Sequence, residues 1–391
     1  MKIECWLKRA QTTVRERRAQ TGVVCGQLRP DTPAKGNIYR RLVAKTTGPS
    51  FREVAVIEHG LSVDELVSGL GDDDVVVRVA YAGVNGGCET FRCRGEYAFT
   101  RNVAVKGFAL GAEGVGEVVA HGPSSAGCAV GTPVMFVGGA FSEYVKVKAV
   151  MCTPIDTMHK DYVAIRISGN VAHASLKHVA RIQKGDVVLV TAAAGATGSF
   201  AAQFAKHVGC HVVATCRSAE KASILNEYGV DRVIQYTKED IETVLKKEGY
   251  AGAIDVAYEG VGGALQAVAW ENLRTETGRL LSVGYISQYP HTSGYSAHGV
   301  MHASKDLPPS DELFWGGKTI QDPLGKVAYG NVWPSDASMR QESLRELCEL
   351  YENGTIRPLI DPAEFQGLES IPDSIDYMLT GNALGKVIVS L

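Results

Sequence analysis

The chain has 391 residues, a formal net charge of −3 and 21% charged residues. That length allows about two or three domains with ample core, and the balanced charge gives the folded body no electrostatic reason to bind nucleic acid. No apolar run reaches the roughly 18 residues of a membrane span, and nine cysteines, odd in number and without a C-x-x-C spacing, read as reduced thiols in an intracellular compartment.

Residues 1–37 differ from the rest: Lys2, Lys8, Arg9, Arg15, Arg17 and Arg18 stand against only Glu4 and Glu16. Three readings fit this basic extension, an organelle transit peptide, a disordered tail or a misassigned start, so both a cytoplasmic and a mitochondrial location stay open. From Ile38 short β-type runs follow, bounded by Gly, Asp and Pro: Arg41–Ala44, Arg52–Ile57, Asp74–Tyr81, the glycine-interrupted Gly111–Ala120, Gly131–Phe136 and Ala140–Val147. They predict a compact, partly open β-barrel over 38–165, with Gly where strands bend or cross closely. A helical stretch, Tyr162–Ile182, bridges it to the next domain, 166–338.

That domain opens on Val187–Val190, an unbroken apolar run suited to a strand buried on both faces. It leads into Ala193-Ala-Gly195-Ala196-Thr197-Gly198, which keeps G-x-G-x-x-G spacing with Ala193 in the first position. Small residues serve separate ends here: a tight turn, backbone approach to a pyrophosphate at Gly195, and close helix packing at Gly198. The helix from Thr197 to Val208 would aim its positive end at that anion. Strands His211–Thr215, Asp231–Gln235 and Ala253–Tyr258 then alternate with helices Ser218–Tyr228 and Lys238–Lys247, and Gly278–Gly284 closes the run. This is the pattern of a doubly wound parallel sheet. Residues 286–336 read as irregular and placed to cover a cofactor cleft. Residues 339–391, with a helix near Met339–Tyr351 and a strand Lys386–Ser390, read as a return to the first domain.

From about Arg41 to Leu391 the chain resembles the medium-chain dehydrogenase/reductase superfamily, with its GroES-like barrel and Rossmann domain. Within it the resemblance is to zinc-free quinone oxidoreductases of the 15-oxoprostaglandin 13-reductase branch. It rests on Phe51-Arg-Glu, Gly83-Val-Asn85, Gly114-Val-Gly-Glu-Val-Val119, Thr191-Ala-Ala-Ala-Gly195, Cys210-His-Val-Val, Tyr258-Glu-Gly-Val-Gly-Gly263, Gly284-Tyr-Ile-Ser287, Gly367-Leu-Glu-Ser-Ile371 and Gly385-Lys-Val-Ile-Val389. The family's V-N-x-x-D motif departs to Val84-Asn85-Gly-Gly-Cys88-Glu89, one residue longer and with Glu for Asp. Zinc-dependent members hold their catalytic metal through two Cys and a His. The resemblance places Asn85, Ala112 and Ser168 there, none a good zinc ligand, and only Cys88 and Cys93 lie where a structural zinc lobe would be, so no metal is expected.

The second strand of the nucleotide fold ends Thr215-Cys-Arg217-Ser218, with no carboxylate until Glu220. An NAD enzyme places Asp or Glu there for the ribose hydroxyls. Arg217, Ser218 and Lys221 offer positive charge and a hydroxyl instead, so the expected cofactor is NADPH. The resemblance adds Tyr236 at the adenosine phosphate, Ser168 near the nicotinamide, the strand-end glycines Gly260 and Gly284, and Tyr285 as further cofactor contacts. It also implies a homodimer. With no zinc, polarising a substrate carbonyl falls to neutral donors. The resemblance implies Asn85, in the place of a zinc-ligand Cys, and Tyr97, which resembles a tyrosine lining the substrate pocket of related reductases, as the candidates; the alternatives are a loop-bracing Asn and a packing aromatic. The expected activity is NADPH-dependent reduction of the C=C bond of an α,β-unsaturated ketone such as a lipid enone. NADPH:quinone reduction, and a non-catalytic NADPH-binding role of the crystallin or regulatory kind, stay open.

Overall fold

The computed structural model describes residues 38–95, 108–125, 127–289, 307–330 and 332–391. The basic extension 1–37 and the candidate donor Tyr97 lie outside the described residues. The barrel part contains β1 (Ile38–Ala44), β2 (Ala55–Ser62), β3 (Asp74–Gly83), β4 (Phe108–Ala109), β5 (Glu113–His121), β6 (Pro133–Val137), β7 (Tyr144–Lys148) and β8 (Cys152–Pro154). The nucleotide fold contains β9 (Val187–Val190), β10 (His211–Cys216), β11 (Arg232–Gln235), β12 (Val256–Glu259), β13 (Arg279–Ser282), β14 (Thr319–Gln321) and β15 (Val327–Tyr329). Two short C-terminal strands, β16 (Phe365–Gln366) and β17 (Ile388–Ser390), rejoin the barrel.

The barrel sheet runs β16-β17-β3-β5-β6-β8 with β7 also paired to β3, and β2-β1-β4 form a small sheet beside it. Strand β3 is the hub: Gly83 sits across from Ile388 of β17 on one side and Glu113 of β5 on the other. One expected strand, Arg52–Ile57, is corrected. Residues Phe51–Val54 form a single helical turn, and the strand begins at Ala55. Both Phe51 and Val54 are buried in the barrel core. Residues three apart share a helical face but point to opposite faces of a strand, so only the turn buries both.

The nucleotide sheet runs β11-β10-β9-β12-β13-β15-β14. Val188 and Val190 enter the core shared with the long bridging helix, while Leu189 enters the core on the opposite face. A strand covered on both faces needs an apolar run without alternation, which Val187–Val190 supplies. The segment read as irregular is corrected as well. Within 286–336 a helix, Ser310–Gly316, and the hairpin β14–β15 extend the sheet past β13; residues 290–306 and 331 are outside the described residues. The bridge, residues 161–180, is helical throughout and widens to π geometry over Ile165–Gly169 and Ser175–Ala180. Among the described residues no helix is long and apolar enough to cross a membrane.

Candidate cofactor cleft and reaction site

Strand β9 lies at the point where strand order reverses, with β10 on one side and β12 on the other, and its end carries the glycine turn. Ala192 takes a left-handed φ of 47°, and the Gly195 N–H closes the turn on the Ala192 carbonyl at 2.9 Å. A Cβ on Gly198 would lie 2.5 Å from the Ala192 carbonyl oxygen, so a larger residue would push the helix Ala196–Val208 off the turn. Ala193 is fully buried beneath it. Gly195 is the N-cap residue and no side chain caps the helix, which leaves its first N–H groups for another acceptor. Ala196 and Thr197 are half-exposed in that first turn. The donor set fits a dinucleotide pyrophosphate.

The loop after β12 is held by a buried carboxylate. Glu259, fully buried, accepts from the Thr191 hydroxyl at 3.1 Å and from the N–H groups of Val261 and Gly262 at 2.8 and 3.0 Å. Burial pushes its carboxyl up to about 7 against the pull of these donors. The Thr191 hydroxyl in turn accepts from Gly260 N–H, and the Gly263 N–H donates to the Ser310 hydroxyl at 2.8 Å. Gly260 and Gly284 lie against each other: a Cβ on Gly284 would meet the Gly260 carbonyl oxygen at 3.3 Å. Tyr285 is buried with its ring edge-on to Phe314, centroids 5.5 Å apart. In the sequence Glu259 lies within the Tyr258–Gly263 motif without a role and Ser310 carries no signal; both shape the loop after β12.

At the adenosine end the expected residues divide. Ser218 caps the helix Ala219–Glu227 by accepting from Lys221 N–H at 3.2 Å. Lys221 is only 9% exposed and its ammonium donates to the Gly381 carbonyl at 2.8 Å; burial lowers its pKa. Arg217 stays half-exposed, its guanidinium reaching the Thr380 carbonyl at 3.3 Å. Tyr236 is half-buried beside the strand end, its N–H on the Cys216 carbonyl.

At the opposite end, Ser168 is buried in the first π-widened stretch of the bridging helix, a local geometry frequent at functional sites. Asn85, half-buried, donates through Nδ2 to Glu113 Oε1 at 2.8 Å and accepts at Oδ1 from Lys386 Nζ at 2.9 Å. Lys386 and Glu113 form an ion pair at 2.5 Å, both side chains 0% exposed. In the sequence Lys386 lies in the Gly385–Val389 motif and Glu113 in the strand run Gly111–Ala120, neither with a role, since only the fold shows that they meet. Glu89 is also fully buried, neither of its oxygens has a well-formed hydrogen bond, and burial raises it to about 7 against the Arg92 and Lys386 charges. At Asn85, Ala112 and Ser168, the places that the resemblance gives to zinc ligands, the side chains are an amide already committed to Glu113 and Lys386, a methyl group and a hydroxyl, a donor set that does not fit a zinc ion.

Residues 71–157 match the family model described as "Alcohol dehydrogenase GroES-like domain", and residues 196–307 match "Zinc-binding dehydrogenase". The chain is 37% identical over 362 residues to "Prostaglandin reductase-3" of Mus musculus, covering 90% of this chain and 89% of that one. It is 32% identical over 357 residues to "Probable quinone oxidoreductase" of Leishmania amazonensis, covering 90% and 98%. Among solved structures it is similar to a Pseudomonas syringae quinone oxidoreductase, with TM-score 0.70, 22% identity and coverage of 90% and 100%. It is also similar to the Escherichia coli quinone oxidoreductase complexed with NADPH, with TM-score 0.69, 19% identity and coverage of 90% and 100%.

Proposed function

The chain belongs to the medium-chain dehydrogenase/reductase superfamily, and from that premise we propose that it is an NADPH-dependent reductase of the C=C bond of α,β-unsaturated ketones. NADPH, when bound, supplies hydride at its nicotinamide C4. The uncapped helix end after Gly195 and the turn residues Ala193 to Gly198 hold the pyrophosphate. Arg217, with Tyr236, holds the adenosine phosphate. Ser168, Gly260, Gly284 and Tyr285 line the nicotinamide end.

The observation that carries this reading is the Asn85 amide. It stands where a zinc-dependent relative has a metal ligand, and it is held as a neutral hydrogen-bond donor. Alcohol oxidation needs a Lewis acid or a strong base to take the hydroxyl proton. Conjugate reduction needs less, because the developing charge spreads onto the carbonyl oxygen, where neutral donors such as Asn85 and Tyr97 suffice. The name of the mouse relative supports a lipid enone as substrate. The Leishmania relative favours a second reading, quinone reduction. The expected homodimer belongs to this proposal too, with the outer edge of β14 as its place.

NADPH oxidation measured against a long-chain enone and a quinone, and NADP⁺ reduction measured with a simple alcohol, separate the readings. Turnover of the enone with saturated ketone as product is the expected result. Quinone turnover with semiquinone release and no enone turnover selects the second reading. Alcohol oxidation with enones untouched refutes the assignment, and no turnover with any of them leaves a binding protein.

A further inference from the structure

The side chains of Asn85, Glu113 and Lys386 come from three neighbouring strands: the end of β3, the start of β5 and the residues before β17. They meet over Gly83. A Cβ there would lie 2.8 Å from Lys386 Cε, 3.0 Å from Glu113 Cγ and 2.6 Å from Val163, so the absent side chain leaves the space the ion pair fills. The next residue back from Lys386 reaches the cofactor turn, the Gly385 N–H donating to the Ala194 carbonyl at 2.9 Å.

Asn85 is the N-cap residue of the helix Gly86–Cys93, yet its side chain makes no capping bond. An Asn in that place ordinarily accepts from the helix's second or third N–H. Here Oδ1 is turned to Lys386 and Nδ2 to Glu113. An ammonium has only hydrogens to give and a carboxylate only lone pairs. A flipped amide would set Nδ2 against Lys386 and Oδ1 against Glu113, unfavourable on both counts beside two fully buried charges. The pair therefore fixes one amide orientation and leaves the second Nδ2 hydrogen outside the triad. A buried ion pair adds little stability over an apolar pair of the same volume, whereas breaking it is strongly destabilising; stability alone gives no reason for charge at this spot.

We propose that Lys386 and Glu113 are positioning residues that hold the Asn85 amide as a hydrogen-bond donor to the substrate carbonyl. This rests on the enone-reductase reading, and the experiment separates the two. Steady-state kinetics with a long-chain alkyl enone, NADPH affinity by fluorescence and thermal melting are measured for three variants. These are Asn85→Ala, the neutral pair Glu113→Gln with Lys386→Met, and all three substitutions together. The neutral pair removes both charges of the ion pair together. Both Asn85→Ala and the neutral pair are expected to lower kcat by about tenfold or more, with NADPH affinity within about twofold of wild type. The triple variant should lose no more than Asn85→Ala alone, the mark of groups acting as one unit. Wild-type kcat in Asn85→Ala removes the donor reading and the proposal with it. A folded neutral pair with wild-type kcat, while Asn85→Ala is impaired, leaves the donor reading standing and overturns the positioning role. Should the neutral pair not fold, Glu113→Asp takes its place. It keeps the charge but withdraws the carboxylate from Asn85, and wild-type kcat there overturns the proposal equally.

Discussion

Single residues in this chain are read most sharply where charge and burial conflict. Glu89 and Glu259 are fully buried, and burial raises each carboxyl to about 7 from an ordinary value of 4.5. Between those values the folded chain binds more protons than the unfolded one. Both groups therefore make stability fall as pH rises through that window, by at most about 1.4 kcal/mol per pH unit each. Urea unfolding at pH 5 and pH 7.5 is expected to show a shallower loss of stability with rising pH for Glu89→Gln and for Glu259→Gln than for the wild type. Equal slopes in all three proteins would mean that these carboxyls are not held protonated. Arg217 carries a second residue-scale prediction. Lys221 is turned inward onto Gly381 and Ser218 is occupied as a cap, which leaves Arg217 as the half-exposed cation of the expected trio. Arg217→Ala is expected to lower kcat/KM for NADPH by about tenfold, about 1.4 kcal/mol, with kcat/KM for NADH unchanged. A parallel fall with both cofactors would show that Arg217 acts through the fold and not through the 2′-phosphate.

At the scale of elements, the sequence showed what is local and missed what is not. The run Val187–Val190 and the small residues from Ala193 to Gly198 announce a strand, a turn and a helix because each is built from neighbours in the chain. The hairpin β14–β15 was read as irregular because strands of three residues, ending next to Gly-rich and Pro-containing connections, show no periodicity. The Lys386–Glu113 pair spans 273 positions, so no local pattern reveals it. Gly385 shows the same limit: in sequence it is one glycine of a motif, in the fold it is the contact between the C-terminal return and the cofactor turn. It has φ 77°, and a Cβ would lie 2.1 Å from the Leu359 carbonyl oxygen. Gly354 has φ 79° with nothing within 4 Å of an added Cβ, and so isolates the backbone term. Gly354→Ala is expected to cost about 1–2 kcal/mol by chemical denaturation, the penalty of a left-handed alanine, with NADPH binding unaffected. Gly385→Ala should cost clearly more and also weaken NADPH binding, because the clash displaces the bond to Ala194. Equal destabilisation by the two, with NADPH affinity intact in both, would mean that this junction does not support the cofactor turn.

For the molecule as a whole, the two large sheets are joined by packing as well as by the chain. One continuous core takes Val115, Met135 and Ile388 from the barrel sheet together with Val188, Val190, Val212, Ala214, Tyr258 and Leu281 from the nucleotide sheet. The bridging helix stands between them, supplying Tyr162, Val163, Ile165, Ala172 and Leu176, and the helix Ala337–Glu352 closes it with Leu344 and Leu347. Two sheets that share so much buried apolar surface do not unfold independently, since exposing one strips the partner atoms from the other. The polar ties agree with this: Lys386 meets Glu113 within the barrel while Gly385 beside it bonds the nucleotide turn. Calorimetry is therefore expected to show one cooperative transition and not a separate melt for each sheet. NADPH at about a hundred times its dissociation constant should stabilise the native chain by about 2.7 kcal/mol and move that whole transition upward. Two peaks, with NADPH shifting one and leaving the other in place, would show that the shared core does not couple the sheets.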